Sequence, residues 1–347
     1  MWIRTTSLIA LGVTGSLLLA ACGSDDAGGE TSSGAQGEDV TLNIVGFAVP
    51  EAANIAIAEQ FNDTDEGANV SFRSSYGASG DQSRAVAEGL AADYVHFSVA
   101  SDVTRLVDEG LVDDTWDSGP TKGIVSSSIV VFAVREGNPE GIEDWDDLVK
   151  PGVEIVTPNP ASSGAARWNA LAAYGQAIDS GATEEEATQY VTDLFANVVS
   201  LPSSGRDATT AFLGGTGDVL LAYENEAILA HQNGEEFDYI IPDTTMLIEN
   251  PGAVLIDADP KAQDWLDFVL SDAGQEQFAL KGFRPVIDGV DHGDVEGANN
   301  PADPFPDVPN LLTVEDDFGS WSELSDKFFE EETGIITVVI AESGKGE

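Results

Sequence analysis

From Val40 onward the chain alternates between stretches that read as strands and stretches that read as helices, and this order limits the possible folds more than any other feature. VTLNIVGFAV, starting at Val40, is an apolar run of strand length; EAANIAIAEQFND follows, with Ile55, Ala58 and Phe61 on one helical face. Strand-like NVSFRSSY, helix-like SRAVAEGLAA, strand-like YVHFSVA and helix-like DVTRLVDEGL continue the series. Strands separated by helices predict an α/β domain whose sheet is mainly parallel and covered on both faces. Ser127 to Val134 is apolar and β-branched enough for a buried strand, and a first passage between two lobes is expected near it. The total of 347 residues suits two lobes of slightly over ~100 residues each better than one continuous core.

The second lobe holds one sharply defined helix. Thr183 and Glu186 form a capping box, after which Ala187, Tyr190, Val191, Leu194 and Phe195 recur at helical spacing. Such a stripe is expected to face a core and not a ligand. DVLLAYENEAIL and DYIIP lead to a return passage near residues 243–255, and Trp265, Leu266, Val269 and Leu270 then make an apolar helical face. The expected division is 40–128 for the first lobe, 129–246 for the second, and 247–347 back in the first with a C-terminal helical extension. Two passages between lobes leave a cleft, a common place for pockets.

The start of the chain reads differently. Arg4 supplies a short basic end, residues 8 to 19 are mostly apolar, and Leu19-Ala20-Ala21-Cys22 closes the stretch. This resembles a bacterial lipoprotein signal and lipobox, which predicts removal of residues 1–21 and lipid on Cys22. Residues 22–39, rich in Gly, Ser and acid, read as a flexible tether. Cys22 is the sole cysteine, so no disulfide within the chain and no cysteine-based metal site can form.

With 62 Asp and Glu against 14 Lys and Arg, the net charge is -48. That charge makes nucleic acid and anionic membrane poor partners, and a salty or cation-rich setting that screens it is expected. Against this background three small-residue clusters stand out: Tyr76-Gly77-Ala78-Ser79-Gly80, Ser162-Ser163-Gly164-Ala165-Ala166 and Ser203-Ser204-Gly205-Arg206. Each falls between a strand-like stretch and a helix-like one. A helix start has unpaired amide N–H groups and a partial positive charge, which suit an anion, although serine there is also an ordinary cap.

Residues 143–169, EDWDDLVKPGVEIVTPNPASSGAARWN, resemble the signature segment of the sulfate and thiosulfate binding proteins of bacterial import systems. So do SIVVFAVREGNPEGIEDW, GDVLLAYENEAIL, the "GFRP" turn and TVEDDFGSW. The resemblance spans Val40 to about Ile336. It implies a two-lobed type II periplasmic-binding-protein fold, an oxyanion held in the cleft by neutral donors at helix starts, no cofactor, and a membrane permease of an ABC importer as partner. Carried over by motif, it places Ser79, Ser163, Gly164, Ala165 and Gly205 on the anion, puts Tyr223 where the family has a donating tryptophan, and has Arg167 and Arg206 brace the loops from behind. Trp168 is expected to pack, its indole N–H finding a partner. Departures are Ala165 for a second glycine, Ala48 for an early aspartate, and Asp81 and Asp207 where basic or small residues are usual; both acids are expected to point to solvent.

Catalysis has little support. His96, His231 and His292 fall in no nucleophile or metal constellation, and the acids at 288, 291, 294 and 296 lack EF-hand spacing. A monomer that binds and releases its ligand unchanged is expected. The rival readings are a molybdate, tungstate or phosphate binder on the same fold, a surface hydrolase using Ser79 or Ser163, and a tethered sensor.

Overall fold

The computed structural model describes residues 39–345. The expected leader, the lipid-bearing Cys22 and all but the last residue of the tether lie outside the described residues.

The chain enters through β1 (Val40–Phe47), α1 (Glu51–Asn62), β2 (Val70–Gly77), α2 (Ser79–Ala87), β3 (Tyr94–His96) and α3 (Ala100–Asp108), with β2, β1 and β3 paired in parallel. In β1, Leu42 and Ile44 feed one apolar cluster and Val45 another, as a sheet covered on both faces requires. The long β4 (Ile124–Val134) then carries the chain across. Beyond it come α4 (Trp145–Leu148), β5 (Ile155–Val156), α5 (Gly164–Asp179), α6 (Glu184–Ala196), β6 (Val198–Ser200), α7 (Gly205–Leu213), β7 (Val219–Tyr223), α8 (Glu224–Gln232) and β8 (Asp238–Ile240). The equally long β9 (Thr244–Val254) returns, followed by α9 (Lys261–Val269) and α10 (Asp272–Leu280). The tail, with β10 (Asn310–Leu312), α11 (Trp321–Leu324) and α12 (Ile335–Ser343), runs over α5 and α6 of the second lobe, where Lys327 pairs with Glu184 and Lys345 donates to the carbonyl of Phe195.

The strand order is β2-β1-β3-β9-β4-β7-β5-β6. β4 and β9 join the two halves: they run antiparallel to each other over Ile124–Ile129 and Leu247–Pro251, after which β4 continues against β7 and β9 against β3. A pair of strands shared by two sheets is a natural hinge, since a small twist between them rotates one lobe against the other. Among the described residues no helix is long and apolar enough to cross a membrane.

Two elements depart from the sequence pattern. α1 buries Ala53, Asn54, Ile57 and Phe61, while Ile55 is 51% exposed. Ile55 stands six positions before Phe61, roughly 240° around the axis, so the stripe runs back from Phe61 through Ile57 and Ala53. α2 begins at Ser79, four residues before the predicted SRAVAEGLAA stretch, and no side chain caps it. Tertiary contacts hold its first turn instead. The 183–196 helix follows its pattern, with both halves of the capping box formed and Val191, Leu194 and Phe195 in the core.

Candidate functional site

The starts of α2, α5 and α7 converge on one small cavity of about 10 Å³. Its wall consists of residues 47–49, 77–79, Ser98, 163–165, Ser204 and Gly205, drawn from both sides of the hinge. The wall carries no ionisable side chain. Among the described residues, the N–H groups of Ser79, Gly164, Ala165 and Gly205 donate to no backbone or side-chain acceptor, as expected at the first turn of a helix. Three helix starts and four unpaired amides on residues of one pocket wall make a dipolar site that suits an anion.

The serines divide by role. The Ser79 hydroxyl donates to Asp102 Oδ2 at 2.6 Å and accepts from the Ser98 N–H at 2.9 Å, so Ser79 has only its amide to offer the cavity. Ser163 is the reverse case: its amide donates to the Asn159 carbonyl at 2.8 Å, while its hydroxyl has no partner among the described residues and lines the wall. The sequence suggested a backbone donor there; the bend of the Asn159–Ser163 turn uses that N–H. Ser204 caps α7, its oxygen accepting from the Asp207 N–H at 3.1 Å.

Tyr223 stands one hydroxyl back from the cavity. Its phenol reaches Ser98 Oγ at 2.7 Å, and Ser98 is what lines the wall. Burial pushes the phenol pKa well above its ordinary value, so it stays protonated. Ser98 itself is anchored from several sides: its carbonyl accepts from Trp168 Nε1 at 2.8 Å and from Asn250 Nδ2 at 2.9 Å. Trp168 therefore packs and satisfies its indole, as the sequence suggested.

Neither arginine lines the cavity. Arg206 spans the cleft, donating to both carboxylate oxygens of the buried Glu226 and to the Val49 carbonyl at 3.1 Å. Burial works against its charge, but Glu226 outweighs burial and raises its pKa. Arg167 donates to the Pro160 carbonyl at 3.2 Å and reaches Ser101 Oγ; burial lowers its pKa, with Asp102 opposing that effect. Asp81 is exposed and pairs with Arg84, and Asp207 is exposed and accepts from the hydroxyls of Ser203 and Ser204. Both acids face away from the cavity.

Several contacts cross the cleft: Gly80 N–H to Ser162 O at 3.1 Å, Arg206 to Val49, Trp168 to Ser98, and Tyr223 to Ser98. The lobes are closed on each other. Gly164 makes this closure possible, because a Cβ there would lie 2.5 Å from Ser98 Cβ.

Sequence reasoning missed Ser98, Asp102 and Glu226. Ser98 sat inside the strand-like YVHFSVA, and Asp102 inside a helical pattern. Glu224 and Glu226 carried a readable signal, two acids set between the apolar runs 219–222 and 227–229; each is buried against an arginine, Glu224 with Arg284 at 2.8 Å and Glu226 with Arg206 at 2.7 Å.

Two α/β lobes hinged on a pair of shared strands and closed over a donor-lined pocket define a solute-binding protein of the type II periplasmic class. The chain belongs to the bacterial extracellular solute-binding protein family, whose sequence model matches residues 42–284. It is 40% identical to the sulfate-binding protein of Synechococcus elongatus over 341 residues, covering 94% of each chain. It is 35% identical to the thiosulfate-binding protein of Pseudomonas aeruginosa over 282 residues, 76% of this chain and 81% of that one. Among solved structures, the sulfate-binding protein SubI from Mycobacterium tuberculosis matches with a TM-score of 0.78 and 41% identity, over 84% of this chain and all of the other.

Proposed function

We propose that this protein captures sulfate or thiosulfate outside the cytoplasm and delivers it unchanged to the permease of an ABC importer. One observation carries the reading: the cavity meets its ligand with the amides of Ser79, Gly164, Ala165 and Gly205 and the Ser163 hydroxyl, and with no charged side chain. Such a wall suits a small oxyanion that needs only donors. Oriented dipoles replace a counter-ion, in keeping with 14 basic residues in 347. The names of the relatives support sulfate or thiosulfate over the other tetrahedral anions. The lobe boundaries near 128 and 246 are supported by where β4 and β9 change sheets, but the tail expected to stay with the first lobe packs on the second, against α5 and α6. Hinge closure on the anion then produces the form a permease would recognise.

Near neutral pH phosphate keeps a proton and needs an acceptor, whereas sulfate presents acceptors alone. A donor facing a donor costs about 1–3 kcal/mol, or roughly five- to two-hundred-fold in affinity. Calorimetric titration with sulfate, thiosulfate, molybdate and phosphate at constant ionic strength tests this. Sulfate or thiosulfate should bind most tightly; phosphate binding as well as sulfate would defeat the neutral-donor site. For the anchor, the Leu19-Ala20-Ala21-Cys22 sequence supports lipid attachment at Cys22. Cys22→Ala should release the protein from membranes, and unchanged retention with no lipid seen by mass spectrometry would refute it.

A further inference from the structure

The Tyr223 phenol does not reach the cavity wall, and Ser98 stands between the two. We infer that Ser98 is a ligand-contacting residue of this site, its hydroxyl hydrogen directed into the cavity by Tyr223; the inference rests on the oxyanion reading above.

The direction follows from counting hydrogens. Two hydroxyls 2.7 Å apart share one hydrogen bond, and either oxygen could be the donor by geometry alone. Tyr223 is 1% exposed, and the groups that meet its hydroxyl are Ser98 Oγ at 2.7 Å and the Asn250 side-chain amide. Were Ser98 the donor, the phenol hydrogen would be buried with nothing to accept it, a disfavoured arrangement. The nearby Asn250 offers no acceptor, because its amide NH₂ group is turned toward this region and donates to the Ser98 carbonyl at 2.9 Å. The phenol therefore donates to Ser98 Oγ. The hydrogen of Ser98 must then leave on another side, and the other side of this residue is the cavity.

Position agrees with direction. Ser98 Oγ would lie 2.6 Å from a Cβ built on Gly164, so the hydroxyl sits against the start of α5, beside the amides of Gly164 and Ala165 that would hold the same anion. Its backbone is fixed at both ends, by Ser79 Oγ on the N–H and by Trp168 and Asn250 on the carbonyl. With its backbone fixed and one lone pair taken by Tyr223, the hydroxyl is biased toward donating into the cavity.

The test is calorimetric titration of the folded full-length protein with sulfate at constant ionic strength, using Ser98→Ala, Tyr223→Phe and the double variant. Loss of a hydrogen bond to a charged ligand predicts roughly tenfold to hundredfold weaker binding for Ser98→Ala. Tyr223→Phe leaves the serine donor in place but free to rotate, and should weaken binding less. The double variant, which has no orphaned phenol and so guards against misfolding of the single one, should match Ser98→Ala. A Ser98 variant that is folded and binds within twofold of wild type overturns the inference, as does a larger loss from Tyr223→Phe than from Ser98→Ala. Wild-type protein that takes up neither sulfate nor thiosulfate overturns the oxyanion reading and this inference together.

Discussion

Replacing Gly164 with alanine separates binding from folding. The added Cβ would stand 2.5 Å from Ser98 Cβ and 2.6 Å from Ser98 Oγ, against about 3.4 Å for the shortest ordinary contact, so roughly 0.9 Å of separation is needed. Ser98 cannot supply it, since Ser79, Trp168, Asn250 and Tyr223 all hold it. The lobes must part instead. Opening by that amount strains or breaks the Trp168–Ser98, Tyr223–Ser98 and Gly80–Ser162 hydrogen bonds, each worth about 1 kcal/mol net. Two or three such losses predict a fall in anion affinity of roughly thirty- to two-hundred-fold. With the lobes open the clash is absent, so the stability of the ligand-free, open form should be unchanged or slightly higher, because alanine is favoured over glycine in a helix and restricts the unfolded chain, by about 0.4–1 kcal/mol. Urea denaturation without ligand and calorimetric titration with sulfate read the two effects apart. Binding within threefold of wild type would refute the closure argument, and a parallel loss of stability would show that Gly164 matters to the core and not to the cleft.

Other perturbations address the frame around the site. Arg206→Ala leaves Glu226, 3% exposed, without its charge partner; because the arginine side chain is itself 33% exposed, the expected loss is about 2–3 kcal/mol, below that for breaking a fully buried pair. Adding Glu226→Gln should restore stability without restoring affinity, and the reasoning fails if the single variant melts like wild type. His96 is fully buried between Asn54 and Ser126, and burial lowers its pKa to about 3. The unfolded chain takes up that proton below about pH 6.5 while the folded one refuses it, so stability falls with acid by at most about 1.4 kcal/mol per pH unit from this group. Between pH 6 and 5, His96→Gln should flatten the slope of denaturation free energy, and an unchanged slope would exclude the histidine. The charge of -48 predicts a melting temperature that rises with chloride, and a flat or falling trend would remove self-repulsion as a factor.

The sequence alone determined the features that depend on neighbours along the chain. Strand and helix order, the Thr183–Glu186 capping box, the core stripe of α6 and the three small-residue helix starts are local patterns, legible because hydrophobic period and capping chemistry act within a few residues. The first passage could be placed because the second half of β4 is an apolar, β-branched run, whereas β9 is broken by Glu249, Asn250, Pro251 and Gly252 and only the return of the chain near it was legible. Arg206 as a brace was implied by family resemblance, but its partners Glu226 and Val49 were not. Tertiary structure decided what depends on approach between distant segments. α2 begins at Ser79 although no side chain caps it, because Gly80 donates across the cleft to Ser162 and the Ser79 hydroxyl is tied to Asp102. Which serine offers an amide and which a hydroxyl depends on where Asn159 and Asp102 lie in space. Ser98, hidden in a strand-like run, enters the site only because the lobes close and bring Tyr223, 125 residues away, within 2.7 Å of it. Hydrogen-bond satisfaction in a buried cleft is a global constraint, and no local pattern in a sequence encodes it.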